Sequence, residues 1–246
     1  MIKFFSKIRH NLIKQNKIGK YFKYAIGEIL LVVIGILIAL NINNSNEKRK
    51  NHMFLTSNLQ GVLEELKIDS TIIDKRRIEL NKRNENRIAF INHTNYEWFT
   101  RDSLEQSIEN YVKELSIEYS YYQKIRNSNI TEYGVYSGIM EDIIVYYDFI
   151  LPFLKKITVH FDQQVEREDE FWRYEQKTYE FNYVEGLSSF QNNEVAKKEI
   201  IELINSVTAR NIMKIDVRRN NYMLENLEGA QNYLKEMILN LDKVLQ

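Results

Sequence analysis

The chain has 246 residues, enough for one sizeable domain or two small ones plus a membrane segment, and its formal charge is zero. The zero hides an asymmetry: residues 1–23 carry seven basic side chains and no acidic one, leaving 27 basic against 34 acidic groups beyond them. An acidic main part is a poor nucleic-acid binder, the lack of cysteine excludes disulfides and thiolate chemistry, and one proline with eight glycines is too little punctuation for a strand-and-turn fold.

The basic head comprises Lys3, Lys7, Arg9, Lys14, Lys17, Lys20 and Lys23. On a helical wheel Ile2, Phe4, Phe5, Ile8, Leu12 and Ile13 fill one side of residues 2–14, while Lys3, Lys7, His10 and Lys14 share the other. Such a segment lies in the headgroup plane as an interfacial helix; the alternative is a basic tail without fixed structure.

Residues 24–42, YAIGEILLVVIGILIALNI, are long enough for a hydrocarbon core of about 30 Å. Seven basic residues precede this span, against Lys48, Arg49 and Lys50 after it, so the positive-inside bias puts residues 1–23 in the cytoplasm and residues 47–246 outside it. A cleaved signal peptide is the other reading, but Ala39-Leu40-Asn41 offers no small-x-small cleavage site. An uncleaved inner-membrane anchor is therefore expected.

Glu28 lies about 6 Å inside the cytoplasmic end of the span. Glu28, Gly35 and Ala39 fall within about 20° of one line along the helix. Two small residues in line with a carboxylate describe a helix-packing stripe, for a second copy or an envelope partner. Equally, Glu28 can snorkel toward Lys20 or Lys23.

The stretches MIKFFSKIRHNLI and YAIGEILLVVIGILIALNINN, with Gly27-Glu28 and VVIGILIAL inside the second, resemble an uncharacterised family of single-pass Bacteroidota inner-membrane proteins. FLTSNLQGVLEELKID resembles that family's first helix after the membrane, and Ser137-Gly138 followed by IMEDIIVYY its central Ser-Gly element. Ser45 departs from the tryptophan expected after the double asparagine. The resemblance implies an inner-membrane anchor and a helical extracytoplasmic domain, and no activity.

Beyond the span, a first helix is expected from about Glu47 to Ile91, with Leu59, Leu66, Ile73 and Leu80 seven apart. Its other seam begins at Leu55 and Val62 but turns polar at Asp69 and Arg76, which predicts a helix that projects or packs one-sidedly there. Asn92–Thr100 is a break. A second helix runs from Arg101–Ser103, capped by Thr100 or Asp102, to about Asn127. A third starts near Thr131, is interrupted at Pro152 and resumes to about Tyr179, and residues 182–193 form the longest loop.

From about Glu194 the final region carries Met223, Leu227, Ala230, Leu234, Met237, Leu241 and Val244 at alternating spacings of four and three. This is the seam of a bundle helix or a coiled coil, and Ile238 and Leu245 beside it favour the bundle. The class expected is all-α: one N-terminal transmembrane helix, then an antiparallel helical bundle with a long membrane-proximal helix.

No nucleophile elbow, Ser-x-x-Lys box or phosphate loop occurs, so no catalytic residue, metal ligand or cofactor is assigned. His160, Asp162, Glu166 and Glu170 are the nearest approach to a metal set, but Arg167 and Arg173 stand among them and acidic faces are usually solvated. Tyr133, Tyr136, Tyr146, Tyr147 and Trp172 line either a ligand or partner groove or a tyrosine-rich core. The expected partners are the lipid membrane and a second copy or an envelope protein, with no nucleic acid. Two functions follow: a membrane-anchored interaction or scaffold protein of the envelope without catalysis, or a periplasmic small-molecule sensing module that signals through a partner.

Overall fold

The computed structural model describes residues 18–110, 112–182 and 186–246, and every regular element among them is helical. The expected interfacial helix at residues 2–14 lies outside the described residues. The chain divides at Leu55/Thr56 into two compact units.

Helix α1 runs Ile18–Ile91. In the first unit it carries an apolar segment long enough to cross a membrane, as a span or a signal anchor. Every side chain from Ile29 to Lys50 is exposed, the apolar run Ile29–Leu40 included.

In the second unit α1 buries Leu59, Val62, Leu66, Asp69, Ile73, Arg76, Leu80, Asn84 and Arg87, a continuous stripe at spacings of three and four. The expectation that α1 loses its seam at Asp69 and Arg76 is corrected here. Both are buried, at 1% and 9% exposure, and at Asp69 the hydroxyls of Tyr146 and Tyr147 meet the seam.

Helix α2, Arg101–Ile108, starts on an N-cap in which Thr100 accepts from the Ser103 N–H. It ends far short of Asn127. Leu115 and Ile117 are buried while Glu114, Ser116 and Glu118 are exposed, a period of two that suits extended chain rather than helix. Helix returns as α3, Ser120–Arg126. Gly134, at φ 59, opens a 3-10 turn, Gly134–Tyr136, in a region of the Ramachandran map that favours glycine.

Helix α4, Ser137–Val145, passes through a π turn, Tyr146–Ile150, into α5, Leu151–Glu170. Pro152 thus stands in the first turn of α5, at the new helix start expected there. It follows the π turn, where the Leu151 N–H already reaches back to the Tyr146 carbonyl, so its missing donor leaves no regular ladder bond unmade. A second π turn, Phe171–Glu175, ends this helix before Tyr179, with Gln176 Nε2 donating to the Phe171 carbonyl at 2.8 Å.

The last region is two helices. Asn192 caps α6, Asn193–Asn205, and Ser206 caps α7, Val207–Leu245. Met223, Leu227, Ala230, Leu234, Met237 and Leu241 are all buried along α7. Helix α7 packs against α4, α5 and α6, and α2 packs against α6. Polar pairs join α1 to α7: Gln231 Nε2 to Ser70 Oγ at 2.9 Å, Asn84 Nδ2 to Asn221 Oδ1 at 2.6 Å, and Arg210 Nη2 to the Ile91 carbonyl at 3.1 Å.

Candidate functional site

Tyr136, Tyr146 and Tyr147 converge on α1. Tyr136 shares a hydrogen bond of 2.7 Å with Thr56. Thirteen residues along α1, Asp69 Oδ2 accepts from both Tyr146 and Tyr147, each at 3.3 Å. Consecutive residues of a regular helix point 100° apart. The wider π turn at Tyr146–Ile150 brings both rings inward, and both are buried. π turns of this kind recur at functional sites.

The rings form one stack. Tyr147 lies on Tyr122 with centroids 4.8 Å apart and planes 19° apart, Tyr119 stands 5.2 Å from Tyr147, and Tyr146 meets Tyr147 edge-on at 4.8 Å. Beside it Glu65 accepts from Ser120 Oγ at 2.9 Å and from the Tyr121 N–H at 3.0 Å, fixing the start of α3. The Tyr121 ring lies over Gly61, where an added Cβ would come within 2.4 Å of it, so glycine is what permits this approach.

Burial raises the Asp69 carboxyl from its ordinary range to about 7. The two tyrosine hydroxyls oppose that rise, Glu65 adds to it and the Lys155 charge opposes it. Burial, then the nearby Asp69 charge, pushes both tyrosine hydroxyls well above their usual value. Burial and the neighbouring Asp148 push Tyr122 up to about 12. The carboxyl is buried and accepts from the two tyrosine hydroxyls, so its protonation sets the stability of this packing.

Where the stack meets the surface, an open cleft of about 550 Å³ is lined by Tyr119, Tyr122, Tyr147 and the ion-paired Arg126 and Asp148. No family model, no curated protein and no solved structure matches the chain. Its chemistry is therefore read from these residues alone.

The residues expected to line one groove separate. Tyr136, Tyr146 and Tyr147 pack on α1, and Tyr133 is half-buried at the 3-10 turn. Trp172 belongs to another core, with Phe90, Tyr96, Leu104, Ile108, Tyr179 and Ile200. His160 is exposed, with its Nε2 3.0 Å from Gln164 Nε2, and among the described residues no group of His, Asp or Glu is arranged to hold a metal ion. In the first unit Glu28 is half-buried and Ala39 exposed, and a Cβ on Gly35 would meet nothing within 4 Å. The sequence reading missed Asp69 as a site residue. Its signal was a carboxylate at a seam position opposite a Tyr-Tyr pair.

Proposed function

We propose that this protein is a membrane-anchored interaction protein of the cell envelope: an uncleaved single-pass helix holding a helical domain that binds and organises partners without chemistry of its own. The observation that carries this reading is the unbroken exposed apolar stretch of α1 from Ile29 to Leu40. Such a stretch stays in water only at great cost and is matched by a bilayer. The charge asymmetry supports a cytoplasmic N-terminus and an extracytoplasmic domain. Resemblance of the first fifty or so residues to the Bacteroidota inner-membrane family supports the same orientation.

The domain is an antiparallel bundle in this reading. The pairs Ser70–Gln231, Asn84–Asn221 and Ile91–Arg210 support it, because the α7 partner falls in number as the α1 partner rises. Glu28, Gly35 and Ala39 are the surface through which the span meets a second copy or an envelope partner. The Tyr119–Tyr122–Tyr147 cleft favours a second reading, a periplasmic small-molecule sensing module acting through a partner.

The test uses the cysteine-free background. Ser188, in the exposed loop before α6, is changed to cysteine, and intact spheroplasts are treated with a membrane-impermeant maleimide. Labelling before lysis is expected; labelling only afterwards overturns the orientation. Gly35→Ile is expected to weaken crosslinked oligomers in the membrane, and unchanged crosslinking would sink the packing stripe.

A further inference from the structure

The described residues between α2 and α3 are not helical, and their contacts with α5 fix their shape. At one end Asn110 Nδ2 donates to Glu168 at 2.8 Å, and at the other Lys155 Nζ donates to the Ile117 carbonyl at 3.3 Å. The seven residues from Asn110 to Ile117 thus keep pace with the thirteen from Lys155 to Glu168, a helix length of about 20 Å. Seven residues cover such a distance only when extended, at about 3.3 Å each. With Leu115 and Ile117 buried and Glu114, Ser116 and Glu118 exposed, Val112–Glu118 is a lone strand-like segment laid along a helical domain.

Its backbone has no neighbouring strand among the described residues. Of the N–H and C=O groups of Val112–Glu118, the Ile117 carbonyl alone has a protein partner there, the Lys155 ammonium. Water satisfies such groups, but a row of them is what a strand edge offers to another chain. Alongside lies a groove of about 310 Å³, lined by Glu114, Leu115, Ser116 and Ile117 and, on α5, by Lys155, Thr158 and Val159. Val159 is 54% exposed, an apolar surface that a strand lying in the groove would cover.

The free charges at this edge are mostly acidic. Glu114 and Glu118 are exposed and make no ion pair among the described residues. Asp162, exposed and likewise unpaired, follows Lys155 by seven residues and so shares its face of α5. Lys155 itself holds the Ile117 carbonyl and stands 5.6 Å from the Tyr119 ring centroid, and Lys113 pairs with Glu79 at 3.3 Å. Lys156, His160 and Arg167 lie about 100° or more round α5 from Lys155. Among the described residues three free acids thus face one free base, Lys75 on the α1 side. We propose that the Val112–Glu118 edge takes an extended basic segment of a partner protein by strand addition, its lysine or arginine side chains meeting Glu114, Glu118 and Asp162. Strand addition draws affinity from backbone hydrogen bonds and selects through alternate side chains, and opposite charges on neighbouring strands favour pairing. A second copy of this chain would bring the same uncompensated acids. The inference rests on the interaction-protein reading and gives that reading's partner a chemistry.

The experiment uses the full-length chain in a neutral detergent and a fluorescein-labelled heptapeptide of alternating lysine and threonine. Saturable binding by fluorescence anisotropy is expected, with none for the glutamate–threonine counterpart. The lysine peptide N-methylated at alternate amides keeps its charge but loses the donors that strand addition uses, and should bind about tenfold more weakly or worse. The double substitution Glu114→Gln, Glu118→Gln, at two exposed positions, should weaken the unmodified peptide by about tenfold. Amide hydrogen exchange at residues 112–118 should slow when the peptide binds. The proposal is overturned by absent binding, by equal binding of the N-methylated peptide, by an unchanged affinity in the double variant, or by unchanged exchange at residues 112–118. Such a failure, with the Ser188→Cys chain labelled before lysis and crosslinks weakened by Gly35→Ile, removes this surface and leaves the interaction-protein reading standing. Failure of those two membrane tests alone leaves peptide binding by the purified chain untouched.

Discussion

Replacing Asp69 by asparagine tests the tyrosine–aspartate centre through its pH dependence. The folded carboxyl is raised from 3.8 to about 7. Between those values the native chain holds a proton that the unfolded chain has released. Stability therefore falls as pH rises through that window and levels off above it. The full cost is about 4 kcal/mol, at 1.36 kcal/mol per pKa unit. Somewhat under half of it is already present at pH 5, so about 2–3 kcal/mol accrues between pH 5 and pH 8.

Asparagine has nearly the same shape, keeps one acceptor oxygen for the Tyr146 and Tyr147 hydroxyls, and does not ionise. Its own packing offset is the same at every pH. The stability of Asp69→Asn relative to the parent is therefore expected to improve by about 2–3 kcal/mol from pH 5 to pH 8. Other titrating groups, Glu65 and Lys155 among them, are common to both chains and cancel in the difference. Denaturant unfolding of the full-length proteins in detergent, followed by far-ultraviolet circular dichroism at both pH values, measures it. Parallel pH curves would refute the argument.

Further substitutions probe the packing by the same unfolding measurement. Leu227→Ala and Leu234→Ala, both at 0% exposure on α7, should each cost about 2–5 kcal/mol, whereas Val244→Ala at the half-open end of the seam should fall within about 0.5 kcal/mol of the parent. Gly61→Ala pushes a methyl into the Tyr121 ring and should cost about 1–3 kcal/mol; a neutral result would mean the ring is not seated there. Glu168→Ala strands Arg219 and Asn110 and should cost about 3–5 kcal/mol, more than Leu227→Met.

Much of the helical plan was legible because it rests on local chemistry. Thr100 three residues before a serine N–H, the spacing of Met223 to Leu241, and the uninterrupted Ile29–Leu40 run each act within a few residues of chain. The misread stretches fail for reasons equally local. Residues 109–119 contain enough apolar side chains to pass for helix, yet Leu115 and Ile117 are two apart, and that period belongs to extended chain. Pro152 marks a new helix start, but the Tyr146–Ile150 π turn before it is hidden, since nothing within a few residues of the proline announces it.

The site was harder to see, since its residues look like errors in an apolar pattern. Asp69, Arg76 and Arg87 occupy seam positions of α1 where leucine is expected, and a lone polar residue there suggests a helix face turned to water. What decides the matter is a complement some 50–150 residues away: the Tyr146–Tyr147 pair for Asp69, and Asp216 for Arg87. Burying a charged group without such a complement would leave the helix unpacked, so the polar seam carries information about pairing rather than exposure. Apolar seams accept many neighbours. A buried carboxylate between two hydroxyls accepts one register, and so Asp69 fixes which turn of α1 meets the π turn, as a polar residue in a coiled-coil seam fixes register.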